Sequence, residues 1–481
     1  METGGDKPRV GVDDWVASVE DRREQRAGIA GLARRIDDLL PPWALLVLFA
    51  AVSASLPLWM GRGDLFAYGI FTLIYVLLGL GLNVVVGYAG LLDLGYVALF
   101  GFGAYFYALL SSEQYGIHWP SAISIPVVVV STALVGLILG IPSRRLLGDY
   151  LAIVTLFFGQ AFVVFVNAAN PTVRGKGLTG GPNGIADIDP NDLFGYELTS
   201  RRQQYWFILS VVLLVLIGLH FLSESRTGRA WRALREDPLA AEAMSIPVNR
   251  LKLMAFAFGA GIAGLTGCMF AAVLTAVTSG NFALPILITI YAVVILGGIG
   301  SLTGVVIGAI VINVSFQFLA PENPQDNARI LFYAVIVLLL VLGLRPWWRL
   351  GAVLGGTLAF GLVAHALAEA ISPSWTAGAV VEGGRFGDVV SDWVIIPVGH
   401  EHFANVAYLA LVVAVLALTK ISGLWRTALI VPTVYLAAIV WETSFVEQPA
   451  VARWILFGAL LVFLMTVRPQ GLLGTPRVEI V

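Results

Sequence analysis

Long apolar segments follow one another along most of this chain, and they constrain its fold more than any other feature. A helix that crosses a membrane needs roughly 20 apolar residues, within a range of about 17–25. Segments of this kind number about fourteen, and the shorter ones suit broken or re-entrant helices. They lie near residues 41–60, 65–86, 95–111, 120–140, 150–168, 205–222, 253–277, 286–300, 303–320, 329–344, 351–371, 404–419, 424–441 and 452–467.

The composition excludes most other classes of protein. Apolar residues make up 58% of the 481 positions and charged residues only 12%, whereas charged residues make up about 25% of a soluble domain. The formal net charge of -2 gives no basic surface for nucleic acid, and the single cysteine, Cys268, excludes an intrachain disulfide. We therefore predict an all-α protein, a polytopic transmembrane helical bundle in contact with lipid.

The distribution of lysine and arginine predicts the orientation of this bundle. If the N-terminus is cytoplasmic and every segment crosses, most of the 29 basic residues fall on cytoplasmic loops, as the positive-inside rule requires. Both termini are therefore predicted to be cytoplasmic. Residues 1–40 are polar and charged, and they are expected to form an amphipathic extension that is either a solvated leader or a docking element for a partner.

One glycine-rich stretch, residues 79–96, carries polar side chains at membrane depth. Glycine costs about 1 kcal/mol in a helix interior relative to alanine, and a carboxylate within a span usually faces the bundle interior or a water-filled cavity. One hypothesis is a helix break beside a solute path. The other is a turn at the membrane surface in which Asp93 caps the following helix. The candidate path residues here are Asn83, Tyr88, Asp93 and Tyr96.

Two further glycine clusters have different predicted roles. The loop 169–204 contains the turn-forming sequence TGGPNGI and faces outward in the predicted orientation. It is either a plain surface loop or a gate on the entry side, and the candidate gate residues are Gly180, Gly181 and Asn183. The second cluster has a spacing of four, which favours close helix packing and no chemistry, and its members are Gly300, Gly304 and Gly308.

The segment 223–253 is predicted to be a cytoplasmic loop that holds six basic residues. Asp237 followed by Pro238 predicts a helix start, because an aspartate can cap free amide groups and proline suits the first helical position. The helix should continue from Leu239 to Ser245, about two turns, before Pro247 discourages continuation. A free helix of this length is marginal in water. It should therefore be held by a partner surface or by the membrane face of its own chain, and its small apolar face consists of Ala240, Ala243 and Met244.

Several motifs together resemble a known family. Residues 238–252 resemble the cytoplasmic signature loop of bacterial ABC importer permeases. More closely, the chain resembles the branched-chain amino acid permeases of the LivM type, and the motifs that carry this resemblance, in matching order, are GLNVVVGYAGLLDLGYVALFGFGAYFYALL (81–110), GDYLAIVTLFFG (148–159), TGGPNGI (179–185), GGIGSLTGVVIGAIV (297–311) and RPQGLLG (468–474).

The resemblance implies a permease subunit of an ABC importer in the plasma membrane of a bacterium. Its partners would be a homologous LivH-like permease, two ATPase subunits and an extracytoplasmic solute-binding protein. ATP and Mg²⁺ would be bound by the ATPase subunits, and this chain would bind no cofactor. Related permeases carry urea or short amides, which form the alternative substrate class. The residues implied in coupling to the ATPases are Arg235, Asp237, Pro238, Leu239, Ala240, Glu242, Ala243, Met244 and Ser245.

The sequence departs from the family's pattern in three ways. Ser245 stands where a glycine is usual at the end of the signature helix, and Gln160 stands where a glutamate is common. Residues 328–346 also resemble residues 452–469, which indicates an insertion or partial duplication that adds about four spans of unknown role. The predicted domains after the N-terminal extension are a permease core at 41–350 with its coupling loop at 223–252, the insertion at 351–451, and a last span with the C-terminus at 452–481.

Familiar catalytic motifs are absent from the sequence. It has no GxxxxGK[ST] phosphate loop, so the chain is not expected to hydrolyse ATP, and it has no HExxH or GxSxG motif. His400, Glu401 and His402 form the densest histidine site, but without a third ligand in view a hydrated loop is favoured over a metal site. We therefore predict a transporter subunit that is not an enzyme. The rival hypotheses are an independent secondary transporter or channel, with Asp93 as its ion-coupling group, and a membrane-embedded enzyme.

Overall fold

The computed structural model describes most of the chain between residues 42 and 445. The described ranges are 42–113, 116–143, 149–168, 172–173, 176–193, 195–318, 325–344, 347–378, 390–398, 403–421 and 423–445, together with the single residues Gly458, Gly471 and Leu473. The predicted N-terminal extension and the site at His400, Glu401 and His402 lie outside the described residues. Except for Gly458, so does the last predicted span.

Helices dominate the described ranges, which confirms the predicted all-α class. Seven of them are long and apolar enough to cross a membrane, and helix boundaries lie within a few residues of the predicted spans. The helices are α1 (Pro42–Trp59), α2 (Arg62–Tyr88), α3 (Tyr96–Leu110), α4 (Ser121–Ser143), α5 (Asp149–Ala168), α6 (Arg201–Glu224), α7 (Arg226–Glu236), α8 (Pro238–Ala243), α9 (Val248–Leu274), α10 (Leu284–Gly297), α11 (Leu302–Phe318), α12 (Gln325–Gly343), α13 (Trp347–Ile371), α14 (Phe403–Lys420) and α15 (Leu424–Val440).

Two compact units divide the chain, residues 1–59 and 60–481. Helix α1 belongs to the first unit. Its Leu48 and Val52 side chains, one turn apart on the same face, are both more than half exposed. An apolar face of this kind suits a helix that contacts lipid.

The core of the second unit is built around α9, which packs against α2, α3 and α4. Small residues line these contacts, so the backbones approach closely: Gly103 of α3 lies against Gly264, and Gly136 of α4 lies against Ala260. Between membrane helices the lipid provides no hydrophobic driving force, and close packing of small residues supplies much of the association energy. Helix α9 therefore connects the two ends of the bundle as a closely packed central element.

Short hairpins lie in the connections between helices. Antiparallel pairs of two-residue strands form between β1 (Ser111–Ser112) and β2 (Ile117–His118), between β3 (Thr172–Val173) and β4 (Lys176–Gly177), and between β5 (Asp192–Leu193) and β6 (Tyr196–Glu197). We call the end of the second unit formed by residues 111–121, 176–193 and 275–283 the loop face. The opposite end, where α9 begins, contains residues 223–252, and we call it the foot face.

Helices α10 and α11 form a hairpin whose turn, residues 297–301, lies at the foot face. The backbone of Gly304 lies directly against Gly297, and Gly308 lies against Val293, so the predicted close packing is confirmed for these two glycines. The prediction was wrong for Gly300. This residue lies in the turn with a φ of 88°, because α11 begins only at Leu302.

The helices beyond the hairpin form a small core of their own. Helix α15 packs against α13 and α14, and its apolar side chains meet the segment 390–398. A fully buried ion pair joins α12 to the π-turn that follows α15: Nε of Arg329 lies 3.0 Å from Oε2 of Glu442. Beside it the rings of Phe332 and Trp441 are stacked with their centroids 4.3 Å apart. The described helices between residues 347 and 445 are thus a packed group attached through α12.

Candidate functional site

A break separates α2 from α3 in the middle of the glycine-rich stretch. Helix α2 ends in a π-turn over Asn83–Tyr88, and helix α3 begins at Tyr96. Within the break, Oδ1 of Asp93 accepts a hydrogen bond of 2.9 Å from the backbone N–H of Gly95. Both sequence hypotheses thus have a structural counterpart, since the helix is broken and Asp93 also holds the amide that precedes α3. The side chain is only 2% exposed, so this turn is buried.

Contacts from two other helices attach the break inside the bundle. The hydroxyl of Tyr291 in α10 donates a 2.7 Å hydrogen bond to the backbone carbonyl of Asp93, and the backbone N–H of Leu94 donates to Oγ1 of Thr155 in α5 at 2.9 Å. Each of these partners lies six residues from the end of its helix at the foot face, or about 9 Å at the helical rise of 1.5 Å per residue. Irregular backbone at this depth requires a protein or aqueous environment.

Polar atoms with unused hydrogen-bonding capacity surround this break. Among the described residues, Nδ2 of Asn83, Oδ2 of Asp93 and the hydroxyl of Tyr96 are buried without a hydrogen-bond partner. The hydroxyl of Tyr96 lies against Gly81 of α2, so it faces the ends of both broken helices. Leaving a buried polar group unpaired costs about 1–3 kcal/mol. Such atoms are therefore suited to bind water or a polar solute.

Tyr88 and Asn83 connect the break to the foot face. The hydroxyl of Tyr88 lies near the side chain of Ser223 at the end of α6. Oδ1 of Asn83 accepts a 2.8 Å hydrogen bond from the backbone N–H of Gly300 in the turn between α10 and α11. These two predicted path residues therefore hold the broken helix against neighbouring segments.

The predicted gate residues lie at the opposite end, in the loop face. Gly180 has a φ of 70°, and Gly181–Asn183 form one turn of 3₁₀ helix, in which Gly181 is buried and Asn183 is exposed. The loop is attached to the rest of the loop face, because Ile185 and Val277 exchange two backbone hydrogen bonds of 3.0 and 2.9 Å. The seven candidate path residues therefore form two groups at different depths of the bundle.

Five aromatic side chains lie between these two groups. Phe282, in the 3₁₀ turn before α10, is fully buried, and four rings surround it at centroid distances of 5.0 Å for Phe100, 5.8 Å for Tyr105, 6.0 Å for Phe270 and 6.3 Å for Phe162. These distances are typical of edge-to-face aromatic packing. A largely apolar layer thus separates the polar atoms of the break from the turn that contains Gly180 and Gly181. The sequence analysis missed this layer, because its members come from four separate segments.

The predicted coupling helix is present as α8. Oδ1 of Asp237 accepts hydrogen bonds from the backbone N–H groups of Leu239 and Ala240, at 2.8 and 3.1 Å, and Pro238 occupies the first helical position. The predicted start of this helix is therefore confirmed. Helix α7, which directly precedes α8, is attached to α9, because the buried indole of Trp231 donates a 2.9 Å hydrogen bond to the carbonyl of Leu251.

The predicted apolar face of α8 is exposed, and a different side of the helix packs against its own chain. Ala241 is the buried residue of this helix, at 4% exposure, because its side chain is the one that faces the chain's own helices. Leu239 and Met244 are each 78% exposed. The remaining exposed residues of the predicted coupling set are Asp237, Pro238, Ala240, Glu242, Ala243 and Ser245. Arg235 is only half-buried, and its guanidinium contacts the break.

The position of Ser245 explains why glycine is suited to the end of this helix. Ser245 has a φ of 63°, in the left-handed region, which costs roughly 1–2 kcal/mol for residues other than glycine. The helix accordingly ends at Ala243, two residues before the predicted end. Gln160, the other departure, is exposed on α5.

One ionisable pair lies on the loop face. Nδ1 of His118 in β2 lies 2.6 Å from Oδ2 of Asp189, and both side chains are partly exposed. The hydrogen bond to Asp189 raises the pKa of His118 above its ordinary value of 6.5. Elsewhere in the described part of the chain, no group of three His, Cys, Asp or Glu side chains is arranged to hold a metal ion.

Comparison with known proteins identifies the family. Residues 65–340 match the branched-chain amino acid transport system permease component family, which is more than half of the chain. The chain belongs to this family. The match confirms the resemblance that the motifs carry. This permease also has a segment beyond residue 340, including the α13–α15 helices, that the family match does not include.

Relatives of this permease agree with the family match. The permease protein LivM of the high-affinity branched-chain amino acid transport system of Escherichia coli (strain K12) is 35% identical over 330 residues, which cover 63% of this chain and 75% of that protein. LivM of Salmonella typhimurium has the same identity and coverage. LivH of Salmonella typhimurium is 25% identical over 199 residues, covering 41% of this chain and 62% of LivH. No solved structure matches the chain.

Proposed function

We propose that this protein is a transmembrane permease subunit of an ABC importer for branched-chain amino acids in a bacterial plasma membrane. Its partners are a homologous LivH-like permease, two ATPase subunits that bind ATP and Mg²⁺, and an extracytoplasmic solute-binding protein. Both termini are cytoplasmic. The relatives named above are permeases of branched-chain amino acid transport systems, which supports this substrate class over urea or short amides.

The exposed helix α8 is the observation that carries this proposal. It is a helix of six residues that projects Leu239 and Met244 away from its own chain. A helix this short is marginal in isolation, and exposed apolar side chains indicate an interaction surface when they lie together outside the membrane-spanning segments. The hydrogen bond of Trp231 attaches α7, next to α8, to the central helix α9. Such an attachment suits a segment that receives a force from a partner. We refer to residues 237–247 as the foot.

The charge of the foot face supports a cytoplasmic position for the foot. Arginine is frequent in α7, whose members are Arg226, Arg229, Arg232 and Arg235. Cytoplasmic loops of membrane proteins carry an excess of lysine and arginine within about 15–20 residues of the span ends. An ATPase in the cytoplasm would therefore meet α8 directly.

The interior of the bundle supports a solute with both polar and aliphatic parts. A branched-chain amino acid carries an ammonium group and a carboxylate on an aliphatic side chain. Around the break, Oδ2 of Asp93 offers an acceptor, and the Tyr96 hydroxyl and Nδ2 of Asn83 offer donors. The aromatic layer around Phe282 provides an apolar surface beside them. A solute imported from the loop face would meet the aromatic layer first and the polar atoms of the break after it.

Uptake measurements with a scrambled foot test the proposal. We expect cells that carry the complete transporter to take up labelled leucine, isoleucine or valine, and scrambling of residues 237–247 should abolish uptake and solute-stimulated ATPase activity. The scrambled chain should still insert into the membrane in normal amounts. Normal uptake by the scrambled chain would contradict the proposal. If urea or acetamide competes for uptake and leucine does not, the substrate class is urea or short amides instead of branched-chain amino acids.

The buried carboxylate of Asp93 favours a second candidate, a secondary transporter that acts alone. Such a transporter would use Asp93 to couple an ion to the solute, because carboxylates at membrane depth often serve this purpose. Asp93→Asn separates the two candidates. In an ABC importer the variant should retain ATP dependence of any residual uptake, whereas in a secondary transporter it should lose ion-driven accumulation altogether.

The helices beyond the core are proposed to be an accessory insertion, residues 351–451. The small core of this segment includes Val394, Tyr435 and Ile439, and the ion pair between Arg329 and Glu442 attaches it to α12. Deletion of residues 351–451 also removes Glu442, so it is combined with Arg329→Met to avoid an unpaired buried cation. This deletion should leave uptake intact if the insertion otherwise contacts only lipid, and should reduce assembly with the second permease if it supports that partner.

A further inference from the structure

Arg235 differs from the other predicted coupling residues in the direction of its side chain. It lies in the last turn of α7, two residues before Asp237, and its guanidinium faces the interior of the foot face. Nη1 of Arg235 donates a 2.6 Å hydrogen bond to the backbone carbonyl of Gly87. Gly87 belongs to the π-turn in which α2 ends. The residue beside the foot therefore contacts the helix break directly.

The carbonyl of Gly87 has a physical need for this donor. The last carbonyls of a helix have no intrahelical partner and must be satisfied from elsewhere. They also lie at the negative end of the helix dipole, where a cation is favoured. A guanidinium supplies both a donor and a positive charge, and such charge-assisted hydrogen bonds are roughly twice as strong as neutral ones. Arg235 thus stabilises the end of a helix that belongs to another part of the chain.

Two glycines provide the space that Arg235 occupies. Gly90, with a φ of 70°, would place a Cβ atom 2.9 Å from Cγ of Arg235. Gly300, with a φ of 88°, would place a Cβ atom 2.7 Å from Nη1. Both positions have a left-handed backbone that disfavours other residues. The side chain of Arg235 is therefore held between the break and the turn that joins α10 to α11.

Other contacts attach the same π-turn and the same hairpin turn to the foot face. Tyr88 lies near Ser223 at the end of α6, and the backbone N–H of Gly300 donates a hydrogen bond to Oδ1 of Asn83. The backbone N–H of Leu473, near the C-terminus, donates a 2.9 Å hydrogen bond to the carbonyl of Gly297. A displacement of α7 thus acts on the end of α2 through Arg235.

We infer that Arg235 is a positioning residue that transmits movement of the foot to the helix break. In the conformation described here, its guanidinium caps α2 at Gly87 and keeps the break closed. When the ATPases displace the foot, the guanidinium leaves the Gly87 carbonyl, the π-turn loses its donor, and the backbone beside Asp93 rearranges. This inference rests on the proposed function, because the displacement comes from bound ATPases. Differential contact in the two states is the requirement for any such coupling.

A cysteine-accessibility experiment tests this role in the assembled transporter. Cys268 is the single cysteine of the chain and is fully buried, so Cys268→Ala gives a cysteine-free background. Ala89, which follows the π-turn and is 2% exposed, is replaced by cysteine as the reporter. Inside-out vesicles are labelled with a membrane-impermeant maleimide, with and without ATP. The reporter protein with Arg235 unchanged is compared with the same protein carrying Arg235→Gln. The matched control is Arg202→Gln, an exposed arginine at the loop-face end of α6.

The expected result is a change in ATP dependence. With Arg235 present, labelling should be slow without ATP and about tenfold faster with ATP, and Arg202→Gln should behave in the same way. In Arg235→Gln, labelling should already be about tenfold faster without ATP and should no longer respond to it, since a charge-assisted hydrogen bond of this kind is worth at least a factor of about ten in an equilibrium. The ATPase subunits should still co-purify with Arg235→Gln.

Three results would overturn the inference. Labelling of Arg235→Gln at the slow rate of the Arg202→Gln control would mean that the guanidinium does not hold the break closed. Loss of the ATPase subunits from Arg235→Gln would mean that Arg235 is a docking residue. If the glutamine variant does not fold, Arg235→Lys replaces it in the labelling experiment, because an ammonium cannot make the contacts of the guanidinium between Gly87, Gly90 and Gly300. An unchanged slow labelling rate in Arg235→Lys would overturn the inference.

The experiment distinguishes this inference from the proposed function. The comparison of Arg235→Gln with Arg202→Gln in the absence of ATP requires no ATPase and no transport. Suppose that the two variants differ in labelling rate but that ATPases neither bind nor drive uptake. The proposed function then fails, whereas the conclusion that Arg235 holds the break closed remains. If ATP drives uptake and the difference is absent, only the inference fails.

Discussion

Truncation of the two exposed apolar side chains of the foot should weaken ATPase binding without unfolding the permease. Leu239 and Met244 are each 78% exposed, and neither contributes to the core of its own chain. The perturbation is the double substitution Leu239→Ala and Met244→Ala. Helix α8 should remain intact, because alanine has the highest helix propensity and the cap at Asp237 is unchanged.

The magnitude follows from the apolar surface that these side chains offer. Complete burial of a Leu or Met side chain is worth about 1.5–3 kcal/mol, and alanine retains part of this surface. Each truncation should therefore remove about 1–2 kcal/mol of binding free energy. Together the two should remove about 2–4 kcal/mol, which corresponds to a Kd about 30- to 700-fold higher. The free energy of unfolding should change by less than about 0.5 kcal/mol, as is usual for exposed positions.

The assay is a titration of purified ATPase subunits against the permease pair in detergent. The matched control is the double substitution Leu214→Ala and Met254→Ala, which removes the same two side-chain types from exposed positions on α6 and α9. This control should leave the Kd unchanged. A Kd for the foot variant within about twofold of the control would refute the argument that the foot's apolar surface binds the ATPases, since even one such side chain should contribute more than this.

Three further predictions concern stability. Ser245→Gly should raise the midpoint of thermal unfolding in detergent, because it relieves about 1 kcal/mol of left-handed strain at a φ of 63°; a lower midpoint would contradict this. Arg329→Met should lower the free energy of unfolding by about 3–5 kcal/mol, because it leaves Glu442 buried without its cation. The double variant Arg329→Met, Glu442→Leu should recover most of this loss. A single variant as stable as the unmodified protein would refute the reasoning. Because the pKa of His118 is raised in the folded state, its pairing with Asp189 stabilises the fold fully below pH 6.5, and this stabilisation is lost as the pH rises through the folded-state pKa. In an NMR titration of Asp189→Asn, the pKa of His118 should return towards 6.5. An unchanged pKa would contradict the assignment.

The sequence predicts the local features of this protein well, because they depend on short-range physics. The start of α8 follows from the Asp237–Pro238 pair, which satisfies and replaces free amide groups at a helix start. The break near Asp93 follows from a carboxylate and repeated glycines within an apolar run. These signals lie within a few residues of one another, so they can be read without knowledge of the tertiary structure.

The features that the sequence did not predict depend on long-range contacts. Arg235 and Gly87 are 148 positions apart, and nothing in either local sequence indicates that they meet. The glycine at position 300 was assigned to a helix face because the spacing of four continues into α11, whereas the turn ends one residue after it. The burial of Ala241 was also not predicted, since it depends on which side of α8 the rest of the chain covers.

Energised uptake in reconstituted vesicles tests the central claim most directly. The measurement compares accumulation of labelled leucine in proteoliposomes that contain this chain alone with proteoliposomes that contain it with the second permease, the ATPases and the binding protein, each with and without ATP. We predict accumulation above equilibrium only in the complete assembly with ATP on the side of the foot. Accumulation by this chain alone, at the same rate with and without ATP, would contradict the account.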